Sequence, residues 1–562
     1  MNAAAQSAGH TRVLKIVGLL WVLTELLHGH AGAADEDFPA DVRGRTAAQM
    51  EELFREAARQ EQIPVELAIT VRNRVPYFDC RFAPNTNGRS WYALLNAQRG
   101  KLQQQDRDYK AQNMERAIEQ RVTIRGRTYF TVVWKQKRDP LPALRLPDGE
   151  LPQAGATRPA FAGLDRFFCE FLREHNASGV TVAVARDGQL VYARAFGYAD
   201  VEQRQPMQPD TMLRIASLSK PLTAIAVLRM VELGQLRLDD RVLPLLHRGG
   251  YRLTDDSDER WQQITVRHLL QHAGGWDRDQ SGDPMFKVVE VTRAFELPQP
   301  ARQVDILRYQ LQQPLDFDPG AKYAYSNFGY SVLGRVMEIV SGQDYERLMR
   351  SLVLEPAGMS RTRLGRTKWA DRQDGEARYH PQQGKRHTPF WLSVPRKAVR
   401  RDTDDFTLVE EPYGRWDLEV MDAHGGWIST APDLVRLLSR TDASREALLT
   451  EASRRTMLQA PDYADPGRSV WYGLGWQVRQ KRTPRPDRPI YADHNIWHSG
   501  ALAGTSTLLV RRSDGMSWAV LFNTDRSSQG QRLSTLMDSQ MHFAVNSVAE
   551  WPEVDDPGGA QR

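Results

Sequence analysis

Cysteine is nearly absent: Cys80 and Cys169 are the only two in 562 residues. Two thiols cannot build a disulfide framework or a cysteine metal site; at most they form a single bridge in an oxidising compartment. For Cys169, set in the apolar helical pattern FFCEFL, a small buried hydrophobe is the plainer reading. Charge of one sign is also missing. Against 75 basic side chains stand 70 acidic ones, a formal net charge of +5, and no basic block interrupts the mixture. Such a surface is solvated and of mixed sign, so nucleic acid is not an expected partner. Long apolar runs are missing too, apart from IVGLLWVLTELL at residues 16–27, which is short for a spanning helix of about 20 residues.

That run follows Arg12 and Lys15 and precedes HGHAGA. This is the layout of a secretory signal, residues 1–33, with Ala31-Gly32-Ala33 as the cleavage site. An uncleaved anchor is the competing reading and the only membrane contact expected. The chain is therefore expected to act outside the cytoplasm, secreted or periplasmic. No cysteine follows the small residues to take a lipid.

A hydrophobic content of 41% and a charged content of 26% fit a globular protein, and the length predicts at least two domains. Residues 34–140 read as a small accessory domain. TAAQMEELFREAARQEQ has helical spacing and PVELAITVRNRVPYFDCRF alternates like paired strands. SWYALLNAQRGKLQQQ and RAIEQRVTIRGRTYFTVVW then read as a second helix-strand-strand pass, with Tyr77, Phe78 and Phe82 over Tyr129, Phe130 and Trp134. Residues 141–160, rich in Pro, Gly and Ala, read as a linker.

A larger domain is expected over residues 161–550, with a loose tail at 551–562. Its ends carry two hairpin signals, one turning at Asp187-Gly188 and one at Asp514-Gly515. Hairpins at both ends of a helix-rich middle predict one antiparallel sheet with helices packed on it, an α+β fold. Residues 361–420, polar and irregular, read as an insertion or surface excursion.

Within this domain RIASLSKP places Ser217 three residues before Lys220, at the start of the strongly apolar PLTAIAVLRMVELGQL. At helical spacing the two side chains share a face, and a helix N-terminus favours negative charge beside Ser217. A lone S-x-x-K is expected by chance about once in a chain this long, so its partners decide. They are Tyr325-Ser326-Asn327, before another helix pattern, and His498-Ser499-Gly500, at the mouth of the C-terminal hairpin.

S-x-x-K, Y-x-N and a strand-borne basic-x-Gly in this order resemble the serine β-lactamase-like and penicillin-binding superfamily, in its class C-type branch. ITVRHLLQHAGGW, LEPAGMSRT, GGWISTAPDL and WYGLGW are similar landmarks. The resemblance implies a sheet with helices on both faces plus a helical subdomain, and acyl transfer without metal or organic cofactor. Ser217 is the expected nucleophile, activated by Lys220 if burial and positive neighbours depress its pKa, with Tyr325 relaying a proton. Which of the two accepts the first proton the sequence leaves open. Asn327 is expected to orient Lys220 and the substrate amide. The resemblance also implies an oxyanion hole from the backbone N–H groups of Ser217 and Ala501, with Gly500 letting substrate backbone approach the strand.

His498 departs from the lysine of most β-lactamases, and a histidine is mostly neutral above pH about 6.5, so efficient β-lactam hydrolysis is not expected. His268 and His272 in RHLLQH have a zinc-compatible spacing, but Leu269 stands where a metalloprotease carries its glutamate, so they read as structural. Trp276, Trp427, Trp471, Trp476 and Trp497 read as core and cleft-wall residues. Residues 46–135 loosely resemble the repeats of polyglycine-cleaving endopeptidases, which favours a peptide substrate, cell-wall stem peptides among the candidates. A carboxylesterase, a weak β-lactamase, and a non-catalytic scaffold or penicillin sensor are the alternatives.

Overall fold

The computed structural model describes residues 38–85, 91–111, 114–136, 144–382, 386–387, 390, 409–441 and 447–552, apart from 256, 298 and 466. The signal segment, part of the linker, part of the 361–420 excursion and the end of the tail lie outside the described residues. The chain divides into two compact units, Met1–Asp139 and Pro140–Arg562.

The first unit is a tandem repeat in which a strand precedes each helix. β1 (Asp41–Arg45), α1 (Ala47–Arg59), β2 (Gln62–Arg72) and β3 (Val75–Pro84) form one copy; β4 (Trp91–Ala97), α2 (Arg99–Ala111), β5 (Met114–Ile124) and β6 (Arg127–Gln136) form the other. Each sheet is antiparallel with the last strand central, in the orders β1-β3-β2 and β4-β6-β5. Ala47 to Arg99, Gln62 to Met114 and Val75 to Arg127 are each an offset of 52 residues, the same that separates Tyr77 from Tyr129 and Phe82 from Trp134. Both hairpins turn on two left-handed residues, Asn73-Arg74 and Arg125-Gly126, as a tight hairpin turn requires.

The repeat is thus βαββ and not αββ. Residues 91–97, WYALLNA, are strand before the helix starts at Arg99; the left-handed Asn96 (φ 50°) marks a register shift near the strand's end, and no Gly or Pro stands between strand and helix. Phe54 of α1 packs edge-on against Phe82 and against Trp91 of the second copy, which joins the two copies through one core.

The second unit is built on a nine-stranded antiparallel sheet. Its strands are β7 (Gln153–Ala154), β8 (Gly179–Arg186), β9 (Gln189–Asp200), β10 (Gln205–Pro206), β11 (Val470–Tyr472), β12 (Gln477–Gln480), β13 (His494–Leu502), β14 (Thr505–Arg511) and β15 (Met516–Phe522). The order is β10-β9-β8-β15-β14-β13-β12-β11, with β7 on β9. The two hairpins predicted from Asp-Gly turns are neighbours, joined where β8 pairs β15. The stretch read as a linker therefore ends inside the fold: Leu151 is buried and β7 belongs to the sheet.

Both sheet faces are covered, so its central strands are apolar on alternate sides. Val180, Val182, Val184, Trp518, Val520 and Phe522 face α3 (Ala162–His175) and the C-terminal helix Leu533–Asn546. Ala183, Ala185, Ala519 and Leu521 face the other core, with α4 (Ser219–Glu232). Alanines there let helices approach closely, and α4 is buried along nearly its whole circumference, as an apolar sequence without a polar stripe demands. A helix-rich region follows, including α5 (Asn327–Ser341), and α6 (Ala431–Thr441) returns to the sheet.

The excursion at 361–420 is anchored rather than superficial. Arg214, just ahead of the Ser217 turn, donates to the carbonyls of Pro412 (2.6 Å) and Arg366 (2.9 Å) and stacks over Tyr379. Cys80, inside the first core, and Cys169 are free thiols. Among the described residues no helix is long and apolar enough to cross a membrane.

Candidate active site

Ser217 sits in a single 3-10 turn, Ala216–Leu218, that runs into α4. Ala216 adopts φ 48°, a left-handed conformation that costs a non-glycine residue about 1 kcal/mol or more. The turn is held by Ser219 Oγ donating to the Ala216 carbonyl (2.6 Å), the Ile215 amide donating to Trp427 and Thr507 Oγ1 donating to the Ile215 carbonyl (3.1 Å). In the run 211–220 only Ser217 keeps partial solvent access. The strained turn therefore presents one hydroxyl at the surface of a rigid, buried segment.

Gly500 on β13 packs against this turn. A Cβ there would meet the Ile215 carbonyl and Thr507 Oγ1 at 2.4 Å and the Ser217 amide nitrogen at 3.1 Å. The close approach that requires glycine is thus between the strand and the protein's own nucleophile turn, where the sequence reading had assigned it to substrate. The next residue, Ala501, continues the strand opposite Ser506.

Lys220 is fully buried one turn along. Its Nζ lies 3.1 Å from Ser217 Oγ, 2.7 Å from Asn327 Oδ1 and 2.9 Å from the His424 carbonyl. Burial holds the Lys220 pKa well below its ordinary range, opposed by Asp283 and reinforced by Arg278. Desolvation disfavours the ammonium, so the amine is the relevant form. A neutral amine has two N–H donors and one lone pair. Asn327 Oδ1 and the His424 carbonyl take the two donors, which leaves the lone pair for the Ser217 hydroxyl.

Asn327 opens α5, and Ser326 caps that helix by accepting from the Gly329 amide (3.1 Å). The Asn327 amide is fixed from both sides: Oδ1 accepts from Lys220, and Nδ2 donates to Asp283 Oδ2 at 2.6 Å. Asp283 is partly buried, and its pKa is raised by desolvation, against the hydrogen bond from Asn327. Sequence reasoning missed Asp283; SGDPM matches no motif, and only the fold carries it to Asn327.

Tyr325 completes the group. Its ring lies 4.7 Å from Lys220 Nζ, and burial pushes the pKa of its phenol up, with Ser217 close enough to oppose the shift. Burial disfavours the phenolate, and of the two groups it is Lys220 whose Nζ stands within hydrogen-bond distance of Ser217 Oγ. The exposed Arg278 also lies over this ring, at 4.7 Å.

His498 is buried, with Nδ1 2.8 Å from the Ser499 carbonyl and Nε2 3.0 Å from the Tyr472 hydroxyl. Nδ1–H donating to the carbonyl leaves Nε2 to accept from Tyr472, which fixes a neutral tautomer. Burial, with Lys220 nearby, pushes its pKa down to about 3. No permanent cation stands here, as the departure from lysine suggested. His272 lies between Tyr325 (4.3 Å) and Tyr472 (4.5 Å), and its Nδ1 accepts from the Ser326 amide. His268 Nδ1 accepts from the Thr265 amide instead, so the two histidines serve separate backbone groups. Trp276, Trp427 and Trp476 are core residues; Trp471 and Trp497 are partly exposed.

Comparison with known proteins agrees with this architecture. The sequence model of the family described as Beta-lactamase matches residues 164–541. Esterase EstB of Burkholderia gladioli is 37% identical over 204 residues, 35% of this chain and half of the esterase. Penicillin-binding protein 4* of Bacillus subtilis is 24% identical over 392 residues, 68% of this chain and 76% of that protein. The octameric penicillin-binding protein homologue from Pyrococcus abyssi shares the fold, with a TM-score of 0.50 and 24% identity over 69% of this chain and 78% of that one. With its sheet, its buried lysine and a match over most of its length, the chain belongs to the Beta-lactamase family and is a serine hydrolase of that superfamily.

Proposed function

We propose that the chain cleaves an amide, in a peptide or peptide-like substrate, through an acyl-enzyme on Ser217. The observation that carries this is Lys220 Nζ, buried and 3.1 Å from Ser217 Oγ with both its donors otherwise engaged. Ser217 Oγ adds to the substrate carbonyl and its proton passes to Lys220. The oxyanion is held by the backbone N–H groups of Ser217 and Ala501. As the C–N bond breaks, the proton returns to the leaving nitrogen through Tyr325, whose phenol burial keeps in its protonated form. Water then hydrolyses the ester and regenerates Ser217. Asn327 and Asp283 hold the amine in place throughout.

An amine leaving group needs a proton, which Tyr325 is placed to deliver; this favours an amide. The loose resemblance of the N-terminal repeats to those of polyglycine-cleaving endopeptidases supports a peptide. The second reading is an ester substrate, favoured by the 37% identity to esterase EstB over 204 residues and by the neutral His498, which offers no charge to a substrate carboxylate. The basic, apolar and small-residue order of residues 1–33 supports export.

The deciding experiment incubates the purified protein with D-Ala-D-Ala peptides, oligoglycine, p-nitrophenyl esters and nitrocefin, each beside Ser217→Ala, and labels it with a fluorophosphonate. Ser217-dependent peptide cleavage is expected. Ester turnover alone would put the esterase first, and an unlabelled wild type inactive on every substrate would overturn the hydrolytic reading.

A further inference from the structure

A cleft of about 430 Å³ opens beside the catalytic group, lined by Tyr323, Tyr463, Trp471 and Tyr472 with Lys322 and Arg468. Two of its walls belong to the catalytic neighbourhood. Tyr472 and Tyr323 are 5.7 Å apart, and His272 lies 4.5 Å from Tyr472 and 4.3 Å from Tyr325. The Tyr472 wall of the cleft is thus linked through His272 to the Tyr325 ring.

The rings are fixed by their polar ends. The Tyr463 hydroxyl donates to the Gln271 carbonyl (2.7 Å), Trp471 Nε1 to the Leu458 carbonyl (2.9 Å), and the Tyr472 hydroxyl is held by His498. Rings anchored at their polar edge offer a preorganised apolar surface, which lowers the entropy lost when a ligand binds. The charges beside them are already occupied: Lys322 pairs with Asp277 at 3.1 Å and Arg468 with Asp465 at 4.0 Å. What the cleft offers is aromatic area, with the 44% exposed Tyr323 at its opening.

We infer that this cleft is a specificity subsite for a large apolar, preferably aromatic, substituent of the substrate, seated between Tyr323, Tyr463, Trp471 and Tyr472 while the scissile carbonyl reaches Ser217. The inference rests on the hydrolytic reading for its catalytic half only. A volume of this size accommodates a phenyl ring with room to spare, whereas a methyl group leaves the walls uncovered. Discrimination by apolar contact alone is worth about 10- to 200-fold per group.

The test compares kcat/KM for p-nitrophenyl phenylacetate and p-nitrophenyl acetate in the wild type, in Ala464→Trp, which fills the cleft from one of its lining positions, and in Tyr323→Ala at its exposed wall. A wild-type preference for the phenylacetyl ester of about tenfold or more is expected, falling about tenfold in Ala464→Trp and severalfold in Tyr323→Ala. A preference that stays within about twofold of wild type in both variants overturns the subsite, and so does a wild-type preference for acetate. Binding is read separately in Ser217→Ala, by saturation-transfer NMR with phenylacetamide against acetamide. Phenylacetamide binding that disappears with Ala464→Trp supports the subsite even if neither ester is turned over, in which case it is the hydrolytic reading that fails. Absence of phenylacetamide binding overturns the subsite whatever the esters do.

Discussion

Asp283 is the residue on which the state of Lys220 turns without touching it. Its carboxylate takes the Nδ2 hydrogen of Asn327 at 2.6 Å and so presents Oδ1 to the amine; it also opposes, by charge, the effect of burial on Lys220. With Lys220 acting as the free amine, as proposed, kcat/KM is expected to rise with pH and level off above the pKa of Lys220. Removing a neighbouring negative charge lowers that pKa further, so Asp283→Asn moves the acid limb to lower pH. It also lowers kcat by about tenfold or more, as loss of an orienting partner does. A pH–rate profile of the variant checks both; an acid limb left in place would show that Asp283 has no electrostatic hold on the base. His498, neutral down to about pH 3, contributes no ionisation to the profile between pH 5 and 9.

β13 and the nucleophile turn work as a pair at the level of elements. The strand lies close enough to the 215–217 backbone that Gly500 cannot carry a side chain. In Gly500→Ala the new methyl meets the Ile215 carbonyl as well as Thr507 Oγ1; the hydroxyl can rotate away but the backbone cannot, so the strand must shift away from Ser217. Overpacking of this kind costs about 1–3 kcal/mol, and a displacement of about 1 Å at an oxyanion site costs about 100-fold in rate. The expected outcome is a folded protein with fluorophosphonate labelling slowed by about two orders of magnitude. Wild-type labelling kinetics would mean that the two elements are not in the register described.

For the whole molecule, the catalytic unit has buried several imidazoles that cannot take a proton while folded. His272, His424 and His498 are each enclosed, and desolvation is the largest cause of the lowering in all three. Their folded pKa values lie below the unfolded value of about 6.5, so on acidification the unfolded chain binds protons that the native chain refuses. Stability is complete above pH about 6.5 and falls as the pH drops, by up to about 1.4 kcal/mol per pH unit for each such histidine. Urea unfolding between pH 7 and 5 is expected to show this decline, with a shallower slope in His498→Gln. Parallel slopes in the two proteins would exclude His498 from the effect.

By itself the sequence determined the elements that local chemistry specifies. Asp187-Gly188 requires a tight hairpin, the apolar circumference of α4 requires deep burial, and Ser217 and Lys220 share a face because helical spacing puts them there. It did not separate β4 from α2, because WYALLNA runs into the helix with no glycine or proline between them and only Gln98 stands between the two. Nor did it reach Asp283, the His424 carbonyl or the Tyr472 partner of His498, each distant in sequence from the side chain it holds. Only tertiary structure brings them together. The protonation states followed the same division: the sequence names Lys220, and the buried, twice-hydrogen-bonded setting supplied by α5 and the 422–425 helix is what disfavours its ammonium form.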